Sequence, residues 1–122
     1  MKIEKFEDLD CWRKARELAN LVYDLTKQRS FENDFQLRDQ MRDAAGSVMH
    51  NIAEGFEAGS DAEFVRFLKI SRRSASEIQS ELYLALDRKY ISGSQLGRAY
   101  AKATDTKRLI NGLIAYLHRN RK

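Results

Sequence analysis

Proline is absent from the 122 residues, and glycine occurs only six times. Both residues favour turns and disfavour the interior of helices. Their scarcity leaves few positions for the turns that sheets and long loops require, which favours helices. The single cysteine, Cys11, excludes a disulfide framework and a thiolate metal cluster, which suits a reducing compartment. No apolar run approaches the roughly 20 residues that span a bilayer, and residues 1–5 lack the apolar segment of a signal peptide. We therefore expect an all-α, cytoplasmic protein.

The net charge of +4 is unevenly distributed along the chain. Residues 30–65 contain two basic and eight acidic residues, a net charge of −6, whereas residues 66–122 contain thirteen basic and four acidic ones, a net charge of +9. This polarity favours binding of a polyanion to the basic region. It is equally compatible with acidic surfaces docking on basic ones between subunits.

Hydrophobic periodicity predicts four helices, over residues 8–28, 34–56, 61–89 and 93–118. Ser60 with Glu63, and Ser92 with Gln95, have the spacing of capping boxes at the start of the third and fourth helices. The connections are short, so consecutive helices should pack antiparallel. We predict one domain over residues 1–122, an up-down-up-down four-helix bundle.

A polar row lies beside the apolar stripe of the second predicted helix and continues at the border of the third. A buried amide or carboxylate without a partner costs on the order of 1–3 kcal/mol, so a neighbouring helix or another subunit should satisfy these groups. The predicted structural network or interface comprises Gln40, Ser47, Asn51, Glu54, Glu77 and Glu81.

Catalytic chemistry has little support in the sequence. A di-iron centre in a bundle needs Glu-x-x-His pairs, and neither His50 nor His118 has a glutamate three residues before it. A carboxylate cluster of Glu54, Glu77 and Glu81 is the remaining metal hypothesis, and we favour a polar network between helices instead. No glycine-rich turn is present to expose a nucleophile or to hold a phosphate. We predict no enzyme activity, no metal and no cofactor.

Basic side chains supply the main functional hypothesis. Three project within about 60° of one another on the third helix, and three lie on the back of the fourth. A solvated surface explains them in a monomer, but repetition around an oligomer would add their potentials. The predicted nucleic-acid-binding residues are Arg66, Lys69, Arg73, Arg98, Arg108 and Arg119.

Two further features qualify this hypothesis. Phe35, Met49 and Ala53 widen the apolar surface of the second helix, which predicts self-association. Phe64, Phe67 and Tyr100 fall in core stripes, so they should pack inside the bundle and not stack on bases. Contact should therefore be to backbone phosphate, with little sequence preference.

The order of motifs resembles a known family over nearly the whole chain. Its most specific part is Asn51-Ile52-Ala53-Glu54-Gly55 in a helical context. Around it stand Phe6-Glu7-Asp8-Leu9, Trp12, Ala15, Gln40-Met41-Arg42, Ala44-Ala45, Ser47, Phe64, Phe67-Leu68, Ile70-Ser71, Ser74 and Glu77. The pattern resembles the bacterial 23S ribosomal RNA intervening-sequence proteins, to which the accessory variability protein of diversity-generating retroelements is related.

The resemblance implies a four-helix bundle that assembles into a homopentameric, barrel-like ring. It implies no established enzymatic activity; members are often encoded within insertions in ribosomal RNA genes, and the retroelement relatives bind nucleic acid and a reverse transcriptase. The chain departs from the family's pattern in two places. Residues 30–33 lack the usual Phe-Pro turn, and Asp43 stands where a second basic residue is frequent.

Two hypotheses follow. The first is a non-enzymatic homo-oligomer, a pentamer by resemblance, that binds nucleic acid, RNA being favoured. The alternative is a protein–protein assembly or adaptor module without a nucleic-acid role, in which residues 30–65 of one subunit contact residues 66–122 of another. Neither hypothesis includes a membrane or a small-molecule substrate.

Overall fold

The computed structural model describes residues 2–120. They form four α-helices: α1 (Asp10–Thr26), α2 (Phe35–Phe56), α3 (Asp61–Asp87) and α4 (Gly93–Arg119). Short 3₁₀ turns at Phe6–Asp8 and Arg29–Phe31 precede α1 and α2. The described residues contain no β-strand. The predicted all-α four-helix bundle is confirmed.

Consecutive helices run antiparallel, as the hydrogen bonds between α2 and α3 demonstrate. Ser71 Oγ donates to the carbonyl of Val48 at 2.6 Å, and Ser74 Oγ lies 2.8 Å from Ser47 Oγ. A higher residue number on α3 thus faces a lower one on α2. Each helix packs against two others, in the cyclic order α1, α2, α3, α4.

Two helices are shorter than the periodicity predicts. Leu9 is extended after the first 3₁₀ turn, so α1 begins at Asp10, and Gln28 is extended after its end. At the end of α3, Lys89 has a φ of 65°, a left-handed conformation that stops the helix at Asp87. Hydrophobic periodicity carries no information on either local conformation.

The two predicted capping boxes differ. At α4 the box is complete, because Gln95 N donates to Ser92 Oγ at 3.1 Å and Ser92 N donates to Gln95 Oε1 at 2.9 Å. At α3 it is half-formed. Ser60 Oγ accepts from Glu63 N, but the Glu63 carboxylate accepts hydrogen bonds from Arg66.

The core lies along the bundle axis and extends into one connection. Phe31, in the segment between α1 and α2, is buried and contacts Tyr90 with ring centroids 4.9 Å apart. The predicted burial of Tyr100 is wrong, since its side chain is 37% exposed, and Phe67 is only half-buried. None of the helices within residues 2–120 combines the length and hydrophobicity that crossing a bilayer requires.

Candidate functional site

A groove of about 370 Å³ lies between α3 and α4 on the outside of the bundle. We call it the basic groove, because four of its lining side chains are cations. Its α3 residues are spaced by three or four, which places them on one face of the helix. The lining residues are Lys69, Arg72, Arg73, Ser76, Lys107 and Asn111.

Neutral acceptors hold two of these cations in place. Arg72 Nη1 donates to Asn111 Oδ1 at 2.8 Å, across the seam between α3 and α4. Lys107 Nζ donates to Gln79 Oε1 at 2.6 Å and to Ser76 Oγ at 3.1 Å. Amide and hydroxyl oxygens carry no formal charge, so both cations are positioned without being neutralised.

Gln79 orients Lys107 from beneath the groove. Its side chain is buried, and its Nε2 donates to Thr104 Oγ1 at 2.9 Å and to the carbonyl of Tyr100 at 3.2 Å. With both acceptors on the nitrogen side, the amide oxygen faces Lys107. A satisfied buried amide therefore fixes where this ammonium group lies.

Within residues 2–120, the lining of the basic groove contains no acidic side chain to offset its four cations. The ion pairs formed by these residues include none of the four groove cations. A larger cleft between α1 and α4, of about 560 Å³, is different because acids offset its cations. There Arg13 pairs with Asp10 at 2.7 Å, and Arg108 pairs with Asp105 at 3.1 Å.

The six predicted basic residues do not form one patch. Lys69 and Arg73 line the basic groove. Arg66 instead makes two hydrogen bonds to Glu63, at 2.9 and 3.2 Å, and its guanidinium lies 4.5 Å from the ring centroid of Phe67. This pairing lowers the pKa of Glu63 and raises that of Arg66. Arg66 is thus already engaged with an anion.

The three predicted cations of α4 lie outside the basic groove. Arg108 is paired with Asp105 in the charge-balanced cleft. Arg98 is exposed and lies two residues before Tyr100, which places it about 160° away around the helix. Arg119 is exposed in the last turn.

Sequence reasoning missed Arg72 and Lys107, which complete the basic groove. Arg72 follows Lys69 by three residues, a spacing that could have suggested a shared face. Lys107 gives no such signal. It lies only about 60° from the core residue Ile110 around α4, so periodicity places it at the border of the core and not on an exposed face. Only the register between α3 and α4 brings its ammonium group beside Ser76.

Part of the predicted polar network is present in the seam between α2 and α3. Asn51 Nδ2 donates to the carbonyl and the hydroxyl of Ser47, at 2.8 and 3.0 Å, and Ser47 bonds to Ser74. Small hydroxyl residues let the two helices approach closely here. The predicted members that remain exposed are Gln40, Glu54 and Glu77.

Glu81 is the one predicted member with an unsatisfied buried atom. Its side chain is half-buried, and Oε1 has no hydrogen-bond partner among residues 2–120. Burial raises the pKa of this carboxyl to about 7, and the nearby charge of Glu77 contributes to the rise. This oxygen is shielded from solvent within the subunit, which disfavours the ionised form of the carboxyl.

The cysteine, histidine and acidic side chains of the described residues do not form a catalytic or metal-binding arrangement. Burial raises the pKa of Cys11 to about 12, so its thiol stays protonated and unreactive. His50 is exposed on α2. Residues 2–120 contain no group of three or more His, Cys, Asp or Glu side chains placed to hold a metal ion.

Comparison with known proteins places this bundle in a family. Residues 7–112 match the model of the 23S rRNA-intervening sequence protein family. The chain belongs to this family. It is also similar to the 1.70 Å crystal structure of a protein of unknown function from the S23 ribosomal protein family of Bacteroides thetaiotaomicron VPI-5482. The TM-score is 0.80 at 26% identity, and the match covers 86% of this chain and 95% of the other.

No protein with a curated description matches the chain. The crystallised relative is itself described as having unknown function. Neither the family description nor that of the relative assigns an enzymatic activity.

Proposed function

We propose that this member of the 23S rRNA-intervening sequence protein family binds the phosphate backbone of nucleic acid, RNA in preference, through the basic groove. It acts as a homo-oligomer and catalyses no reaction. The observation that supports this proposal most strongly is the set of four groove cations, of which two are held by neutral acceptors and none is paired with an acid in residues 2–120.

Phosphate fits the chemistry of this groove. A guanidinium can bind two phosphate oxygens at once, whereas a lysine ammonium acts as a point charge. Charged phosphate oxygens are stronger acceptors than amide oxygens, and Arg72 and Lys107 keep further N–H donors for them beside the bonds that position them. Such contacts release counterions and carry no base sequence information.

Exposed apolar residues support self-association. Phe35 is 57% exposed and Leu84 50%, although each is a large hydrophobic side chain. The pentameric state and the relation to the retroelement accessory protein rest on family resemblance and belong to the proposal.

RNA binding by two charge variants tests the role of the groove. We expect Lys69→Gln with Arg73→Gln to weaken RNA binding about tenfold or more at low salt. The slope of log affinity against log salt should fall by about 1.4, since each lost contact to a single strand contributes about 0.7. Fluorescence anisotropy with a labelled RNA measures both.

The matched control removes the same formal charge elsewhere. Arg66→Gln with Arg108→Gln deletes two paired arginines and should change the slope little. A third variant, Arg98→Gln with Arg119→Gln, measures the exposed cations outside the groove. Failure to bind RNA at low salt, or equal losses in all three variants, would refute the groove as the binding site.

A protein–protein assembly module is the second candidate, and the exposed apolar side chains of Phe35 and Leu84 favour it. In this alternative, charge reversal in residues 30–65 or 66–122 should dissociate the oligomer. Light scattering then reports a fall toward the 14.2 kDa of one subunit. A mass that stays constant while RNA affinity falls supports the first proposal.

A further inference from the structure

The seam that contains the basic groove continues toward the connection between α3 and α4. Arg72 faces Asn111, and Lys107 faces Ser76 and Gln79. Two turns farther along, Tyr83 on α3 meets Tyr100 on α4, with ring centroids 6.0 Å apart and planes at 75°. One continuous surface therefore has cations at one end and an aromatic pair at the other.

Both tyrosine rings are available to a ligand. Tyr83 is 51% exposed and Tyr100 37%. Other exposed aromatic rings of the described chain differ in this respect, because Arg38 lies over Phe35 at 4.7 Å and Arg42 over Tyr23 at 4.8 Å. No cation of residues 2–120 lies over Tyr83 or Tyr100. The pair offers bare aromatic surface beside unpaired positive charge.

The distances fit a short nucleotide strand. At a rise of about 1.5 Å per residue, Tyr83 lies about 16 Å along α3 from Arg72, and Tyr100 about 10 Å along α4 from Lys107. A stacked strand advances about 3.4 Å per nucleotide, so the seam spans about three to five nucleotides. Cations and rings can therefore act on the same strand.

We infer that the basic groove takes single-stranded nucleic acid, with phosphates on its cations and an unpaired base stacked on one ring of the Tyr83–Tyr100 pair, whose planes are too steeply inclined for one base to stack on both. This inference rests on the proposed function and specifies its ligand. Aromatic side chains bind bases through their faces, which every unpaired base can offer. In a duplex those faces are covered by neighbouring bases, so double-stranded RNA can use the cations alone.

The test compares tyrosine variants on single-stranded and duplex probes. The probes are a labelled oligouridylate of about ten nucleotides and an RNA duplex with as many phosphates per strand. We expect Tyr83→Ala with Tyr100→Ala to weaken oligouridylate binding about 10- to 100-fold, while its salt slope and the duplex affinity stay unchanged.

Three controls separate stacking from structure. Tyr23→Ala removes a comparably exposed ring on the other side of the bundle and should leave affinity unchanged. Tyr83→Phe with Tyr100→Phe keeps the rings and should retain binding. Tyr83→Leu with Tyr100→Leu keeps apolar bulk without a π face and should bind as weakly as the alanine variant. Circular dichroism verifies that each variant is folded.

The outcomes distinguish the inference from the proposed function. Equal affinity for duplex and single strand, with no effect of the tyrosine substitutions, overturns the inference and leaves phosphate binding intact. Wild-type affinity of the leucine variant also overturns the inference, because it shows that apolar bulk is enough. Failure of both probes to bind at low salt overturns the inference together with the proposed function.

Discussion

Gly55 sets the distance between α2 and α3 near their connection. A Cβ atom built on it would lie 2.8 Å from Cβ of Phe67 and 2.9 Å from Cδ1 of Phe64. Real side chains do not approach so closely, and Cβ of Phe67 cannot move without its helix. The hydrogen atom at this position is therefore what allows the two helices to pack at this spacing.

Gly55→Ala is predicted to destabilise the fold by about 1–2 kcal/mol. Overpacking costs about 1–3 kcal/mol, and the better helix propensity of alanine returns up to about 1 kcal/mol. Gly112→Ala is the matched control, because a Cβ there meets nothing within 4 Å and should stabilise the protein slightly. Denaturant unfolding measures both free energies; equal effects would contradict the close packing.

Glu81 makes stability depend on pH. Its folded-state pKa of about 7 lies above the ordinary 4.5, so between these values the folded protein holds a proton that the unfolded chain releases. Stability therefore falls as pH rises through this window. Glu81→Gln cannot ionise and should be more stable than the wild type at about pH 8, by about 1 kcal/mol, with a smaller difference at about pH 5.

Urea unfolding of Glu81→Gln and the wild type at both pH values measures this difference. An equal difference at the two pH values would show that the folded subunit solvates the Glu81 carboxylate as well as water does.

At the scale of elements, the end of α3 is a left-handed turn without a glycine. Tyr90 N donates to the carbonyl of Ala85 and Lys89 N to that of Leu86, both at 2.9 Å, which is the Schellman pattern. Glycine usually occupies the left-handed position of this motif, but here Lys89 adopts a φ of 65°. A side chain in that conformation is strained.

Lys89→Gly is predicted to stabilise the protein by about 1 kcal/mol, since glycine relieves the left-handed strain. The midpoint of thermal unfolding should rise by about 4 °C. Lys89→Ala removes the same charge but keeps Cβ, so its midpoint should stay close to that of the wild type. A rise of similar size in both variants would assign the effect to charge.

The sequence predicts the four helices better than it predicts the contacts between them. Apolar periodicity and the capping residue Ser92 locate four helices, because both signals are local. The 3₁₀ turn that delays α1 to Asp10 and the left-handed Lys89 are backbone conformations that apolar periodicity does not encode. Lys69 and Arg73 could be proposed from their shared face, whereas Lys107 joins them only through the register of α4 on α3.

At the scale of the whole molecule, the antiparallel packing of α3 and α4 gathers part of the positive charge of residues 66–122 in one groove. The cations of residues 66–122 are divided by their ion pairs: α4 and α1 form a charge-balanced cleft, and α3 with α4 forms the basic groove, in whose lining the described residues include no acid. Net charge alone does not reveal this division. Repetition of one groove around an oligomer would add the potentials of several copies and strengthen binding of a long polyanion.

In the protein without substitutions, the most direct test of the groove is lysine acetylation with and without RNA, measured by mass spectrometry. We predict that RNA protects Lys69 and Lys107, which line the basic groove, and leaves the exposed Lys5 and Lys27 as reactive as before. Protection of Lys5 and Lys27 with Lys69 and Lys107 still fully reactive would contradict the account.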